Sequence, residues 1–256
     1  MDRLSSKVDS LNEYLRSHEP LVIALSGGTD SQTLLAIAKK SGIKVAAVCV
    51  DTGLQSKEEL QAAETFAQEH NIPYTILTSD FLAFPEIAGN LPDRCYHCKH
   101  HMMTMIREWA TEHEYPHVAD GSHTDDDPTL RPGIKALKEL HILSPFAACD
   151  IDRETIHELA EQLHIPIRPP SSCLATRVST NMKLTPTILQ NIEKAESLLQ
   201  EKLSGKIRVR VLNGNFAQAE IETDDPKIFI RNDCIDLVKK CGFEDVTVRY
   251  IGEPHL

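Results

Sequence analysis

Three groups of residues in this 256-residue chain have the types and spacing to do chemistry. The first is Ser26-Gly27-Gly28-Thr29-Asp30-Ser31. Two glycines let a backbone turn tightly and approach a ligand without Cβ clashes. Backbone N–H groups in such a turn form a nest for an anion, and the hydroxyls of Ser26, Thr29 and Ser31 add donors. The second group is Cys95-Tyr96-His97-Cys98, whose two thiols could chelate a metal or cluster or form a redox pair. His97, His100 and His101 could complete a zinc site, although no second Cys-x-x-Cys is present to make a zinc ribbon. The third is Cys173, in Ser171-Ser172-Cys173-Leu174-Ala175-Thr176-Arg177, where a cation four residues on is a neighbour that favours the thiolate. Each has a plainer reading: a strand-to-helix turn, surface histidines, a buried structural cysteine. The remaining cysteines, Cys49, Cys149, Cys234 and Cys241, are expected to pack in cores.

Elements must hold these residues in place. Leu21–Leu25 is an apolar run of buried-strand length, and Leu34–Ala38 follows in a predicted helix, so the glycine turn joins the two. Val45–Val50 repeats the strand signal, residues 57–70 read as an amphipathic helix, and Tyr74–Leu77 as a third strand. A helix over about 99–113 leads to a fourth at His117–Asp120. Strands alternating with helices predict a parallel sheet covered on both faces. Ligands then lie beyond the carboxyl ends of the strands, where Asp51-Thr52-Gly53 and Asp120-Gly121-Ser122 are the next candidates to line a pocket.

After the prolines at 166, 169 and 170 the pattern changes. A helix over about 185–203 precedes Lys206–Val211, Phe216–Ile221, a helix around 226–241 and Val246–Ile251. A hairpin is expected at Asn213-Gly214-Asn215. We expect an α/β fold in which residues 1–175 form the ligand-binding domain and 176–256 a smaller α+β domain for substrate or oligomer contacts.

Composition narrows the function. The chain has 27 Lys and Arg against 38 Asp and Glu, a net charge of −11, which argues against tight sequence-independent nucleic-acid binding. With 41% hydrophobic and 25% charged residues it reads as a globular protein. Neither a signal-peptide core nor a membrane-length apolar run is visible, so a cytoplasmic protein with reduced thiols is expected.

The full Ser-Gly-Gly-Thr-Asp-Ser string, following the first apolar strand, resembles the signature of the PP-loop ATP pyrophosphatase superfamily, also called adenine nucleotide alpha hydrolase-like. That resemblance implies ATP, cleaved between its α- and β-phosphates to leave an adenylated substrate. Ser26, Gly27, Gly28, Thr29, Asp30, Ser31, Asp51 and Gly121 are then its expected binding residues, with Asp30 helping to place Mg²⁺. A narrower likeness comes from Arg94-Cys95-Tyr96-x-Cys98-Lys99, Gly121-x-x-x-Asp125-Asp126, Arg131-Pro132-Gly133-x-x-Ala136, Ser144-Pro145 and Cys173-Leu174-Ala175-x-Arg177. In this order they are similar to the LarE family of ATP-dependent sulfur transferases, which serve nickel-pincer cofactor biosynthesis. His123 stands where that family usually shows Asn, and Thr176 where it shows Ser.

What the likeness implies is adenylation of a carboxylate on a pyridinium dicarboxylate mononucleotide, then sulfur transfer to give a thiocarboxylate. Cys173 would be catalytic, and Arg177, Arg208 and Arg210 would hold the anionic substrate. Cys95, Cys98 and Cys173 would ligate a 4Fe-4S cluster, as in three-cysteine members. The sulfur would come from sulfide or another donor, or from Cys173 itself. A homo-oligomer, with a hexamer as one form, is also implied. A tRNA thiolation enzyme, an ATP-dependent amidotransferase or ligase, and a non-catalytic ATP or iron–sulfur sensor remain as other readings.

Overall fold

A computed structural model describes residues 3–127, 129, 131–169, 171–212, 216–231 and 233–252. The expected hairpin turn at Asn213–Asn215, and Pro170, lie outside the described residues. In chain order the elements are α1 (Arg3–Ser17), β1 (Leu21–Ala24), α2 (Thr29–Lys40), β2 (Val45–Asp51), α3 (Lys57–Glu69) and β3 (Tyr74–Thr78). Next come α4 (Pro85–Ala88), α5 (Arg94–Glu112), β4 (His117–Ala119), α6 (Gly133–Glu139), α7 (Pro145–Ala148) and α8 (Arg153–Gln162). The chain continues with α9 (Pro186–Gln200), β5 (Ile207–Val211), β6 (Gln218–Thr223), α10 (Asp233–Lys239) and β7 (Asp245–Tyr250). No helix among the described residues is long and apolar enough to cross a membrane.

The chain divides into two compact units, residues 1–80 with 95–171, and residues 81–94 with 172–256. In the first, four parallel strands lie in the order β3-β2-β1-β4, the α/β arrangement expected of a PP-loop domain. β1 is wholly buried, as a strand covered on both faces must be, and its Leu21 and Ile23 join a core with Leu11, Leu35, Ala47, Phe66 and Phe146. Burial among these groups also pushes the Cys49 thiol up to about 11, which marks it as a packing residue.

Local chemistry sets where the helices begin. Ser56 and Glu59 form a reciprocal capping box at α3, the Ser56 hydroxyl accepting from Glu59 N–H at 3.3 Å and the Glu59 carboxylate from Ser56 N–H at 3.2 Å. That turn of α3 packs on the glycine loop. Gly27 has φ +82°, and a Cβ there would run into the Glu59 carbonyl. α5 starts five residues ahead of the expected 99, just past Pro92, because Arg94 anchors its first turn to Asn90 and the Ala175 carbonyl. The correction matters, since it puts Cys95 and Cys98 on a helix.

In the second unit β5 and β6 pair antiparallel, and β6 and β7 parallel. The stretch 81–94, which a boundary near 175 leaves with the first domain, is sewn into this unit. Asn90 donates to the carbonyls of Val178 and Ser179, each at 3.0 Å, and Leu184 N–H donates to Ala88 O at 2.7 Å. The single helix expected around 226–241 is instead a 3₁₀ turn, Pro226–Phe229, followed by α10. Asp225 caps that turn through Lys227 N–H at 2.9 Å, and Ile230 N–H closes on Lys227 O three residues back.

Across the small sheet Glu222 is buried and gathers three cations. Arg210 grips it through Nε at 2.8 Å and Nη2 at 3.1 Å, Lys206 stands at 3.2 Å and Arg249 at 3.9 Å. The Arg210 hydrogen bonds, with help from Lys206, hold the Glu222 carboxyl down to about 2.

Three outcomes are expected. Gly27→Ala should destabilise the protein by at least about 1–2 kcal/mol in chemical denaturation, because it adds both strain and a clash. Gly28→Ala, in an extended conformation with only a side-chain oxygen nearby, should stay within about 0.5 kcal/mol of wild type. A depressed folded-state pKa means stabilisation that is present above the ordinary carboxyl range and lost as pH falls toward 2. The gap in melting temperature between wild type and Glu222→Gln should therefore narrow between about pH 5 and pH 2.

Candidate functional site

The glycine loop leaves β1 at the carboxyl edge of the sheet and enters α2 through Gly28, which caps the helix with no side-chain hydrogen bond. The first N–H groups of a helix have no carbonyl one turn back, so the head of α2 presents unpaired donors and positive dipole character. The loop is braced from within. The Ser31 hydroxyl lies 3.1 Å from the Ser26 hydroxyl and 3.1 Å from Gly28 O, and it accepts from Ser26 N–H at 3.2 Å. Thr29 is nearly buried, and its hydroxyl donates to Pro166 O at 3.3 Å while accepting Arg168 N–H at 2.9 Å. The expectation that the Thr29 hydroxyl adds to the anion cradle is therefore corrected: its hydrogen ties down the 166–168 strap. Backbone N–H groups are the loop's main donors.

The other candidates of the first unit lie at the same sheet edge. Asp51 ends β2, and its carboxylate accepts Gly53 N–H at 3.0 Å, shaping the following turn. Gly121 follows β4 and lies so close to α2 that a Cβ would sit 3.0 Å from Ser31 N and 3.2 Å from the Asp30 carbonyl carbon. A side chain at 121 would thus block the donor cradle. Asp120 beside it is buried and collects Ser122 Oγ at 2.7 Å, Ser144 Oγ at 2.9 Å and Lys99 Nζ at 3.5 Å.

His123 has no exposed side-chain surface. Its Nδ1 lies 3.3 Å from the Asp125 N–H, and Arg153 Nη2 stands 3.4 Å from Nε2. Nε2 faces Asp126 at 3.5 Å and Asp30 at 3.9 Å. Arg131 pairs with Asp126 at 2.6 Å. Sequence reasoning flagged His123 only as a departure from a pattern; its burial beside the Asp30 carboxylate is what gives it a place in the site.

Cys95 and Cys98 are three residues apart on α5 and so share a face, the first exposed and the second half-buried. Gly133, at the start of α6, lies against Lys99 on the same helix, with its Cβ position 3.3 Å from the Lys99 Cβ. Tyr96 donates to Glu139 at 2.7 Å and carries Lys135 over its ring at 4.8 Å. His97 and His100 stand beside the Tyr96 ring, with centroids 5.0 and 5.9 Å away.

Cys173, in the second unit, is half-buried and heads the 3₁₀ turn Leu174–Arg177. Its own carbonyl accepts from the Thr176 hydroxyl at 2.7 Å and Thr176 N–H at 3.0 Å. Arg177 is buried, its guanidinium forked onto Glu196 at 3.0 and 3.1 Å while Nη1 reaches Ser172 O at 2.5 Å and Cys173 O at 3.2 Å. Arg177 thus meets the carbonyls of the cysteine loop and orders it. Glu196 in turn accepts Val209 N–H at 2.9 Å, linking that loop to β5. Arg208 and Arg210 alternate with the buried Val209, so they share the opposite face of the sheet. Arg210 is also tied to Thr176 O at 3.3 Å.

Among the described residues no group of three or more His, Cys, Asp and Glu side chains could hold a metal ion. Of the expected cluster ligands, Cys95 and Cys98 belong to the first unit and Cys173 to the second.

A family model described as queuosine biosynthesis protein QueC matches residues 20–90, the span from β1 through the glycine loop to β3 and beyond. An uncharacterized protein of Methanocaldococcus jannaschii is 32% identical over 251 residues, covering 97% of this chain and 96% of its own. An uncharacterized protein of Synechocystis is 28% identical over 256 residues, covering 97% and 95%. The pyridinium-3,5-bisthiocarboxylic acid mononucleotide synthase of Lactiplantibacillus plantarum is 27% identical over 256 residues, covering 97% and 92%. With a glycine loop at the head of α2 and relatives matched along nearly its whole length, the chain belongs to the LarE family of the PP-loop superfamily.

Proposed function

We propose that the chain is an ATP-dependent sulfur transferase acting on a pyridinium dicarboxylate mononucleotide, in the biosynthesis of the nickel-pincer cofactor. The observation that carries this reading is the contrast among the cysteines. Cys49, Cys234 and Cys241 are buried and Cys149 is half-buried against the core, all four with thiols pushed up by burial, whereas Cys173 is half-buried on a loop that an interior arginine holds in shape. A cysteine kept at the surface on an ordered loop suits a nucleophile.

A carboxylate resists nucleophilic attack because it is already an anion. The N–H groups of the glycine loop and the head of α2 bind the phosphates of ATP, and Asp30, at 35% side-chain exposure, helps to place Mg²⁺. A substrate carboxylate oxygen attacks the α-phosphorus, a P–O bond forms, and pyrophosphate leaves. Sulfur then attacks the acyl carbon, a C–S bond forms, and the C–O bond to AMP breaks. Where the sulfur is sulfide from a donor, the thiocarboxylate forms directly; where it is that of Cys173, the resulting thioester loses the Cα proton, its Cβ–Sγ bond breaks, and the thiocarboxylate leaves with dehydroalanine at position 173.

Arg208, on the face of β5 opposite Val209, is suited to the substrate's phosphate or carboxylate, whereas Arg210 is forked onto Glu222 and supports that face beside the Thr176 end of the cysteine loop. Arg177 contributes through the shape of the loop. Its charge is already matched by Glu196, so we assign it no contact with the substrate. The donor types of Cys95, Cys98 and Cys173 fit a 4Fe-4S cluster, which would supply an iron open to an extra sulfide. No three-ligand group is ready-made, and no step above depends on one. A homo-oligomer is part of the same proposal.

Cys173→Ser should abolish thiocarboxylate formation while ATP–pyrophosphate exchange with the dicarboxylate continues. Retained thiocarboxylate product would remove Cys173 from the reaction. Anaerobic purification with iron and sulfide analysis should show a brown protein whose colour is lost in Cys95→Ser. A colourless, iron-free protein lighter by one hydrogen sulfide after turnover would assign the sulfur to Cys173 itself and dismiss the cluster.

A further inference from the structure

The glycine loop has to receive a polyanion among carboxylates. Asp30 stands in the first turn of α2, Asp51 at the end of β2, Glu58 and Glu59 in the first turn of α3, and Asp120 just past β4. Residues 26–31 include no Lys or Arg to offset them, unlike a Walker loop with its built-in lysine. The dipole at a helix head amounts to about half a positive charge, too little for a triphosphate. Lys99 is one nearby cation, but it is engaged by buried Asp120. Mg²⁺ offsets part of this charge, Arg131 is paired with Asp126 and Arg153 stands at His123, so a cation on the α3 side of the loop would add to the neutralisation.

The strap after α8 carries one. Through Pro166 O and Arg168 N–H, the Thr29 hydroxyl pins this strap to the loop by its main chain, independently of the Arg168 side chain. The guanidinium of Arg168 reaches toward α3, whose first turn packs on Gly27, and rests 3.9 Å from the Glu58 carboxylate. Glu58 is 75% exposed, so this ion pair is long, solvated and easily exchanged. Arg168 Nε is shut off from solvent and has no hydrogen-bond partner among the described residues. A buried donor without an acceptor is costly, and native structures rarely leave one unless something else fills the role.

The geometry points to Arg168 as a phosphate-binding residue of the nucleotide site, resting on Glu58 until triphosphate oxygens take up its Nε and Nη1 donors. The planar fork of a guanidinium is suited to two such oxygens at once, which an ammonium is not. The ligand class is a nucleoside triphosphate or its pyrophosphate product, and this rests on the ATP-dependent reading above. Glu58 becomes a competitor for the phosphates, which gives the two residues opposite signs in a binding experiment.

Calorimetric titration of the full chain with Mg²⁺ and ATP, pyrophosphate or adenosine tests this. Arg168→Gln should weaken ATP and pyrophosphate by about tenfold or more and leave adenosine unchanged, since a charge-assisted pair is lost and the strap stays tied through its backbone. Arg168→Lys should restore only part of that loss. Glu58→Gln should tighten ATP by about twofold to threefold. Unchanged ATP affinity in Arg168→Gln, an equal loss for adenosine, or weaker ATP binding in Glu58→Gln would overturn the assignment while the ATP reading stands. A wild-type protein that binds no ATP would take down both.

Discussion

A backbone that turns back on itself at Gly27, against the carbonyl of Glu59, is the constraint on which the first unit's site depends. The turn must pass from a fully buried strand into a helix within a few residues, and α3 leaves no room for a side chain there. Because β1 lies inside the sheet, that turn is flanked by the ends of β2 and β4. Asp51 and the Asp120–His123 segment are therefore delivered to one edge by parallel topology alone. Gly121 then closes the arrangement by approaching α2 backbone to backbone.

The site is built largely from main-chain donors, and side chains serve to hold the main chain. Ser31 braces Ser26 and Gly28, Thr29 ties the 166–168 strap, and Asp51 and Asp120 shape the turns that follow their strands. The logic suits a polyanion, because N–H groups fixed in place need no reorganisation when charge arrives. Acidic residues crowd the same edge, and there Asp51, Glu59 and Asp120 accept hydrogen bonds from the protein.

In the second unit the same economy of charge appears around two buried carboxylates. Glu196 fixes Arg177 and through it the Cys173 loop, while Glu222 fixes Arg210 and draws in Lys206 and Arg249. Burying an ion pair in this way adds little net stability, but it enforces one geometry, since removing either partner strands the other in a poor solvent. A half-exposed cysteine is thereby presented on a loop that cannot easily rearrange.

Much of this was legible in the residues themselves. Apolar runs of strand length followed by helical periodicity predict the alternating β/α order, and a string of two glycines among serines and an aspartate predicts an anion-binding turn, because both follow from local backbone preferences. The start of α5 was misplaced because its anchor is tertiary: Arg94 is held by Asn90 and Ala175, and the latter is distant in sequence. The break between Phe229 and α10 was missed because helical periodicity does not register a local 3₁₀ closure. Arg177 looked like a substrate ligand in sequence, and only packing revealed that Glu196 already matches its charge. Thr29, His123 and Arg168 make the same point. Residue type and spacing determined which chemistry the chain can attempt. Which donors and charges are left over to attempt it was decided by the fold, because a hydrogen bond or ion pair made inside the protein is a group withdrawn from any ligand.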